Sequence, residues 1–396
     1  MTPARPRATC LAVLLLVAAC GRGEGTPPST GSHPPVFRPP GPFYQPPDPL
    51  PPGAAGQLIR SEPINAPAGY QAWRILYHSR TPTGADLAVS GLVAASGASP
   101  PPAGRPVLAY AHGVRGLARL CAPSNSTEPL DALPMLAPLL RAGAVLVATD
   151  YPGLGAPGNH PYLDGDSEAR SVLDAVRAAR QLAGLGVGTD AILFGDTQGG
   201  HAALFGGQIA SAYSPELHVL GVAAEDPPTD LVAFERRAAT TPFGVEFLME
   251  ATAGYAAGHP AADVRSILTP QGLADLDLLH TECDDEFGRA TAGQAIGSAF
   301  SQSPIDTPPW SAGLAADSPG ATRTPAPILI SQGSADVQYP ADLAATFVQR
   351  ICAVGDTVSY RTYPQIGHAV TIAAAPDIVA WMADRLAGRP APTSCQ

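Results

Sequence analysis

The stretch Asp190-Ala-Ile-Leu-Phe-Gly-Asp-Thr-Gln-Gly-Gly-His-Ala-Ala-Leu204 reads as a buried strand running through a sharp glycine turn into a helix, with a hydroxyl residue, Thr197, at the turn's centre. The apolar strand Ala191–Phe194 must hand over abruptly to the helix so that one side chain stands clear at the carboxyl edge of a sheet. Gly195 and Gly199 remove the Cβ atoms that would clash there. The pattern is the Gly-x-Ser-x-Gly of a nucleophile elbow with threonine in the serine position. The following helix aims its amino end, with free N–H groups and the positive end of its dipole, at any negative charge developing beside Thr197.

An elbow of this kind expects an acid and a histidine later in the chain, each on a loop after a late strand. Pro327–Ser331 is such a strand, leading into Gly333-Ser-Ala-Asp336, and Val358–Tyr363 is another, leading into Pro364-Gln-Ile-Gly-His368. Thr197, Asp336 and His368 therefore stand in the order and element context of a catalytic triad, with Asp226, after the strand Val219–Ala224, as the second candidate for the acid. No Gly-x-Ser-x-Gly occurs elsewhere, so no serine competes by motif. The oxyanion hole is expected to combine the N–H of Gln198 with a donor from the loop after the strand Pro106–Ala111, His112-Gly-Val-Arg-Gly116. His112 fits a structural role in that loop and His201 a packing or capping role in the elbow helix. His160 receives none.

With 396 residues, 45% hydrophobic and 14% charged, the chain can bury a large central sheet. Strand signals at Ala72–Tyr77, Leu87–Val93, Val107–Ala111, Val145–Ala148, Ile192–Phe194, Val219–Ala223, Ile328–Ser331 and Ser359–Tyr363 alternate with helical stretches. The clearest helix is Ser167–Ala183, with Val172, Val176, Ala179 and Leu182 on one side and Arg170, Asp174, Arg177 and Gln181 elsewhere. Alternation of this kind implies a mostly parallel sheet covered on both faces, here the α/β-hydrolase fold. Residues from about 230 to 324, with Phe234, Phe243, Phe247, Leu248 and Met249, read as a helical cap insertion whose apolar residues serve either an acyl pocket or the cap's own core.

From Phe43 to Cys395 the chain resembles the secretory lipase family of the fungal lipase A type. The stretches that carry the likeness include Phe43-Tyr-Gln-Pro-Pro, Leu58-Ile-Arg-Ser-Glu-Pro, Ala72-Trp-Arg-Ile-Leu-Tyr-His-Ser, Ala111-His-Gly, Cys121-Ala-Pro-Ser, Tyr151-Pro-Gly-Leu-Gly, Gly158-Asn-His-Pro-Tyr and Gln198-Gly-Gly-His-Ala-Ala-Leu-Phe. The family's elbow reads Gly-His-Ser-Gln-Gly, so this chain departs at Asp196 and Thr197. The resemblance implies hydrolysis of carboxylic esters, including acylglycerols, with no cofactor. It points to the backbone of Val114 as the second oxyanion donor, although Arg115 is unusual there and is open to binding a carboxylate instead. A threonine at the elbow occupies a strained, positive-φ position costing about 1–3 kcal/mol, and its branch restricts χ1. Asp196 adds a carboxylate that opposes an oxyanion unless it is turned to solvent or paired.

At the amino terminus Arg5 and Arg7 precede a short apolar run, Leu11–Val17, which has the length of a secretory signal rather than a membrane span. It ends in Val17-Ala-Ala-Cys20, resembling a bacterial lipobox: residues 1–19 are then a signal peptide and Cys20 the lipidation site, the alternative being plain cleavage near Ala19. Residues 20–53, rich in Pro, Gly, Ser and Thr, read as a tether, with Phe43–Pro52 packing on the hydrolase domain of residues 54–396. Cys10 leaves with the signal, so Cys121, Cys283, Cys352 and Cys395 remain, with three possible pairings. The family likeness favours Cys121–Cys283 and Cys352–Cys395. No metal-site spacing is present, no phosphate loop occurs, and the net charge of −11 argues against nucleic acid. The expected partners are a lipid or short-chain ester and, through the anchor, a membrane; no feature marks an obligate protein partner. Three function classes are consistent with the chain: an ester hydrolase, possessing Thr197 as nucleophile; a catalytically degenerate binder of acyl or ester ligands; and a structural surface lipoprotein.

Overall fold

The computed structural model describes residues 36–395 except 134, 135, 142 and 369. Nine strands, β1 (Leu58–Ile64), β2 (Tyr70–Arg80), β3 (Asp86–Ser96), β4 (Arg105–Ala111), β5 (Val145–Thr149), β6 (Val187–Asp196), β7 (His218–Glu225), β8 (Ile328–Gly333) and β9 (Val358–Tyr363), form one sheet in the order β1-β2-β3-β5-β4-β6-β7-β8-β9. The pairs β1·β2, β2·β3 and β3·β5 are antiparallel, and from β5 onward every pair is parallel. This is the mostly parallel mixed sheet of an α/β-hydrolase.

The parallel strands are nearly continuous apolar runs because helices cover both faces. Alternate residues feed two cores. Val107, Ala109, Ala111 and Leu193 pack with Val172 and Val176 of the helix Gly165–Ala179, while Leu108, Tyr110, Ile192 and Phe194 pack with Ile378 and Trp381 of the helix Thr371–Leu386.

The structure adds one strand to those expected and changes two expectations about a helix. Strand β1 gave no apolar signal: Leu-Ile-Arg-Ser-Glu-Pro-Ile is half exposed, and only its pairing with the long β2 makes it a strand. The helix expected at Ser167–Ala183 runs from Gly165 to Ala179, started by Asp164, whose carboxylate accepts the Ser167 N–H at 3.0 Å. On that helix Asp174 is not on an outer face but fully buried, accepting from Ser79 Oγ (2.7 Å), Tyr213 OH (2.7 Å) and Arg177 (2.9 Å).

The tether expected to reach residue 53 already lies on the domain from Val36 on. Thr127 N–H donates to Val36 O at 3.0 Å, and Tyr44 is 2% exposed with its hydroxyl 2.9 Å from Ser124 Oγ. Residues 1–35, and with them the expected signal and Cys20, lie outside the described residues.

Between β7 and β8 the chain forms a run of helices: Leu231–Ala238, Gly244–Gly258, Pro270–Leu279, Asp284–Thr291, Ile296–Ala299 and Trp310–Ala316. Leu248 and Met249 belong to a core built chiefly by these helices, and Phe243 is 39% exposed. Phe234 and Phe247 pack instead with Tyr339 from the loop after β8. A disulfide joins Cys121 to Cys283, linking this insertion to the loop region after β4, and Cys352–Cys395 ties the carboxyl-terminal tail to the helix Ala341–Ala353. No described helix is long and apolar enough to cross a membrane.

Candidate active site

Strand β6 ends at Asp196 and the helix Gln198–Tyr213 begins two residues later, leaving Thr197 alone between them at φ 52°, ψ −117°. The two glycines are required by space. A Cβ on Gly195 would stand 2.1 Å from Gly199 O, and one on Gly199 would stand 1.8 Å from Ala111 O. The turn is pinned from the side by Thr197 N–H donating to Glu225 O at 2.8 Å. The Thr197 side chain is thereby aimed away from the sheet, at the loops that follow β8 and β9.

Those loops bring the other two residues to it. Thr197 Oγ1 lies 3.0 Å from His368 Nε2, and His368 Nδ1 lies 3.0 Å from Asp336 Oδ2. With Nδ1–H donating to the carboxylate, Nε2 is left as the acceptor for the threonine proton. Asp336 Oδ1 accepts the N–H groups of Gln338 (2.8 Å) and Tyr339 (3.0 Å), and Gln332 Nε2 donates to Oδ2 at 3.3 Å, so the carboxylate is held in an orientation suited to the imidazole. The Tyr339 ring packs on His368 with centroids 5.2 Å apart. Burial pulls the His368 imidazolium down, but the Asp336 hydrogen bond and the charges of Asp336, Asp226 and Asp196 outweigh it, and His368 titrates above its ordinary value.

Asp226, the second candidate for the acid, is close by but occupied. Its Oδ1 accepts Gly333 N–H at 2.8 Å and its Oδ2 accepts Val370 N–H at 2.9 Å. Burial pushes it up to about 6 despite those bonds. Asp226 therefore ties the two late loops together, and Asp336 is the carboxylate on the histidine. Asp226, Asp336 and His368 also bring one potential metal-ligand atom each within 4.8 Å of one another, the one such group among the described residues. Both carboxylates already spend oxygens on backbone amides, and His368 spends Nδ1 on Asp336.

Gln198, as the first residue of the elbow helix, has a backbone N–H with no intrahelical acceptor. The loop after β4 lies beside it, as Gly199 against Ala111 O requires. In that loop Gly113 N–H is taken by Asp196 (3.3 Å), whereas Val114 N–H makes no hydrogen bond among the described residues. The loop is also tied to the helical insertion, since Asp284 N–H donates to Arg115 O at 3.1 Å. The Arg115 side chain is partly exposed and forms no ion pair among the described residues. His112 is buried, its nitrogens 2.7 Å from Gly113 O and 3.4 Å from Asp150 O, and burial drives its titration down to about 4, so it stays neutral and structural.

One part of the site joins residues that the sequence leaves unconnected. The Gln198 side-chain amide donates one proton to His160 Nε2 (2.8 Å) and the other to Glu168 Oε1 (2.7 Å). His160 Nδ1–H donates to Pro152 O at 2.9 Å, and burial lowers its titration to about 4, matching the neutral tautomer this chain of bonds needs. Glu168 also accepts from Leu163 N–H (3.0 Å) and from His201 Nδ1 (2.9 Å), while His201 Nε2 donates to Asp317 O at 2.7 Å. His201 has an acceptor at each nitrogen, one of them the Glu168 carboxylate. Burial opposes its charge, but the Glu168 hydrogen bond and charge prevail and it titrates above its ordinary value. The fully buried Glu168–His201 pair locks the start of the elbow helix, and truncating either partner strands the other at a cost of about 3–5 kcal/mol. The sequence gives each of these residues apart; the fold alone makes them a network.

Comparison with known proteins agrees with this fold. A profile of the secretory lipase family matches residues 125–292. The chain is 25% identical over 387 residues to the secreted triacylglycerol lipase LIP4 of Malassezia globosa, covering 89% of this chain and 82% of that one. It is also 25% identical over 373 residues to a Mycobacterium tuberculosis protein named "Probable inactive lipase", covering 88% and 82%. The X-ray structure of Candida antarctica lipase A superimposes with a TM-score of 0.79 at 20% identity, over 91% of this chain and 89% of that one. The strand order, the elbow turn, the run of helices before β8 and these matches agree: the chain is a lipase/esterase-like α/β-hydrolase, similar to the secretory lipases of the fungal lipase A type.

Proposed function

We propose that the protein is an exported carboxylic ester hydrolase acting through an acyl-enzyme on Thr197. The observation that carries this reading is the unbroken hydrogen-bonded line from Thr197 Oγ1 through His368 to Asp336. His368 Nε2 takes the threonine proton as Oγ1 bonds to the ester carbonyl carbon, and Asp336 steadies the imidazolium that forms. The carbonyl oxygen becomes an oxyanion received by the N–H groups of Gln198 and Val114. His368 then gives its proton to the departing alcohol, leaving the acyl group on Thr197. Water, deprotonated by His368, reverses the sequence and releases the acid. Lipid and short-chain esters are the substrate class, the lipid part in keeping with relatives named secreted triacylglycerol lipases. No cofactor enters any step.

The base sets the pH dependence. His368 must be neutral to accept the threonine proton, and its neighbours raise its titration above the ordinary histidine value of about 6.5. Turnover of a neutral p-nitrophenyl ester is expected to climb with pH through one step centred above that value. A rate flat from about pH 5 to 8 would remove His368 as the base.

The second reading, an acyl or ester binder that has lost turnover, is favoured by Thr197 itself and by the name of the mycobacterial relative. Mapping the residue labelled by a fluorophosphonate separates the two: a nucleophile carries the label on Thr197, and a binder carries none.

The export address belongs to the same proposal. With Cys20 acylated, the protein partitions into detergent and incorporates labelled fatty acid, since each buried acyl methylene contributes about 0.8 kcal/mol. Cys20→Ser abolishes the label. Recovery of unlabelled wild type from the medium would make the protein a freely secreted one and leave the site's chemistry untouched.

A further inference from the structure

Asp196 is the residue whose presence beside a nascent oxyanion is hardest to reconcile with catalysis. Its carboxylate is committed elsewhere. Oδ1 accepts the Tyr110 hydroxyl at 2.6 Å and the Gly113 N–H at 3.3 Å. Tyr110 lies on β4, Gly113 is the second residue of the loop that follows β4, and Asp196 ends β6, the parallel neighbour of β4, where Tyr110 pairs with Phe194 and Ala111 with Gly195. One carboxylate thus bridges the two strand ends from which the candidate oxyanion donors emerge. Gly113 fits the arrangement by having no side chain, because a Cβ there would stand 2.6 Å from Asp196 Oδ2.

The same bridge decides which amide is free. Gly113 N–H points back to Asp196, so the next one, Val114 N–H, is the one the loop can offer to an oxyanion opposite Gln198 N–H. A charged acceptor suits this duty, since hydrogen bonds to an ionised group are about twice as strong as neutral ones. The Tyr110 phenol brings the donor: burial, the Asp196 charge and its hydrogen bond to that carboxylate keep the phenol protonated at every working pH.

We propose that Asp196 and Tyr110 form a positioning pair that holds the loop His112–Gly116 against the elbow, so that the Val114 and Gln198 amides converge on one oxyanion. The assignment rests on the hydrolase reading for its catalytic consequence, while the clamp itself is a property of the fold. Asp196 touches no substrate in this role. It acts through Gly113, and the two departures from the family elbow then have separate meanings: Thr197 changes the nucleophile, and Asp196 changes what secures the oxyanion loop.

The test uses the whole chain with Asp196→Ala, Asp196→Asn, Tyr110→Phe and the Asp196→Ala/Tyr110→Phe double variant. On a short p-nitrophenyl ester, Asp196→Ala should lower kcat about thirtyfold with KM within about twofold, short of the ~10²–10³ lost when an oxyanion donor is removed outright. Asp196→Asn keeps an acceptor oxygen for both donors and should restore most of that loss. The double variant should be no slower than Asp196→Ala, because both changes open the same clamp. Amide hydrogen exchange at Gly113, Val114 and Arg115 should be faster in Asp196→Ala and Tyr110→Phe than in wild type, and near wild type in Asp196→Asn. Exchange unchanged in Asp196→Ala, or kcat retained within about twofold in an active enzyme, would overturn the proposal. If wild type turns over no ester, the hydrolase reading falls, and the exchange measurement still decides the clamp. Should Asp196→Ala not fold, Tyr110→Phe carries both readouts.

Discussion

Thr197→Ser is expected to raise kcat/KM on a short ester by about tenfold or more, equivalent to about 1.4 kcal/mol of transition-state stabilisation. Everything around the position is arranged for a hydroxyl: the turn geometry is present at φ 52°, and Oγ1 lies 3.0 Å from His368 Nε2. What threonine adds is a methyl group on a Cβ already in a conformation that costs a non-glycine residue about 1–3 kcal/mol. The branch limits χ1, so the oxygen cannot readily swing between the imidazole and the carbonyl carbon as attack proceeds. Serine keeps the oxygen and removes that restriction. Thr197→Ala should take activity down to whatever substrate binding and the oxyanion hole supply, about 10³–10⁴ over water. Steady-state kinetics on all three folded proteins checks both. No gain from serine would mean that the barrier lies outside the nucleophile, and the binder reading would then lead.

Asp336→Asn is expected to lower kcat about 10⁴-fold while leaving the loop in place. Asp336 fixes the histidine's tautomer: its Oδ2 accepts His368 Nδ1–H, and its Oδ1 is anchored by the Gln338 and Tyr339 amides. An asparagine turned to keep those backbone bonds presents its NH₂ to Nδ1, which forces the proton to Nε2, where it blocks acceptance from Thr197. The comparison variant is Asp226→Asn. Asp226 serves Gly333 and Val370 rather than the imidazole, so its loss should cost stability and less than about tenfold in kcat. If Asp226→Asn proves the more damaging to kcat at equal folded fraction, the acid has been misassigned.

The difference between these two aspartates marks where sequence reading stops. Both follow a parallel strand, and the expected acid on a loop after a late strand ranks Asp336 first while leaving Asp226 open. The choice depends on which backbone amides each carboxylate meets, and for Asp226 those lie 107 and 144 residues away, at the end of β8 and just before the last helix. The same reason hid the polar support of the site. His160 and Gln198 are 38 residues apart, Glu168 and His201 33, Tyr110 and Asp196 86. A hydrogen bond across such separations leaves no period and no motif. Helical spacing weighs only apolarity and so puts Asp174 outside the buried face, whereas two of its three donors, Ser79 and Tyr213, reach it only in the packed structure.

What the sequence by itself determined is what short-range sterics and periodicity can write. The elbow is legible because only glycine fits 1.8 Å and 2.1 Å from a carbonyl oxygen, so Gly195 and Gly199 had to be printed in the chain. The parallel strands are legible because burial on both faces demands unbroken apolar runs. Strand β1 was not, since an edge strand with one polar face takes its structure from the neighbour it pairs with. The tertiary structure decided, between candidates that the sequence only ranked, which carboxylate turns to His368 and which cysteines join, and it alone decided which donors the Asp196 carboxylate takes. Each of those is a choice among chemically equivalent groups, and only the folded sheet, by fixing which strand ends are neighbours, makes one partner near and the others far.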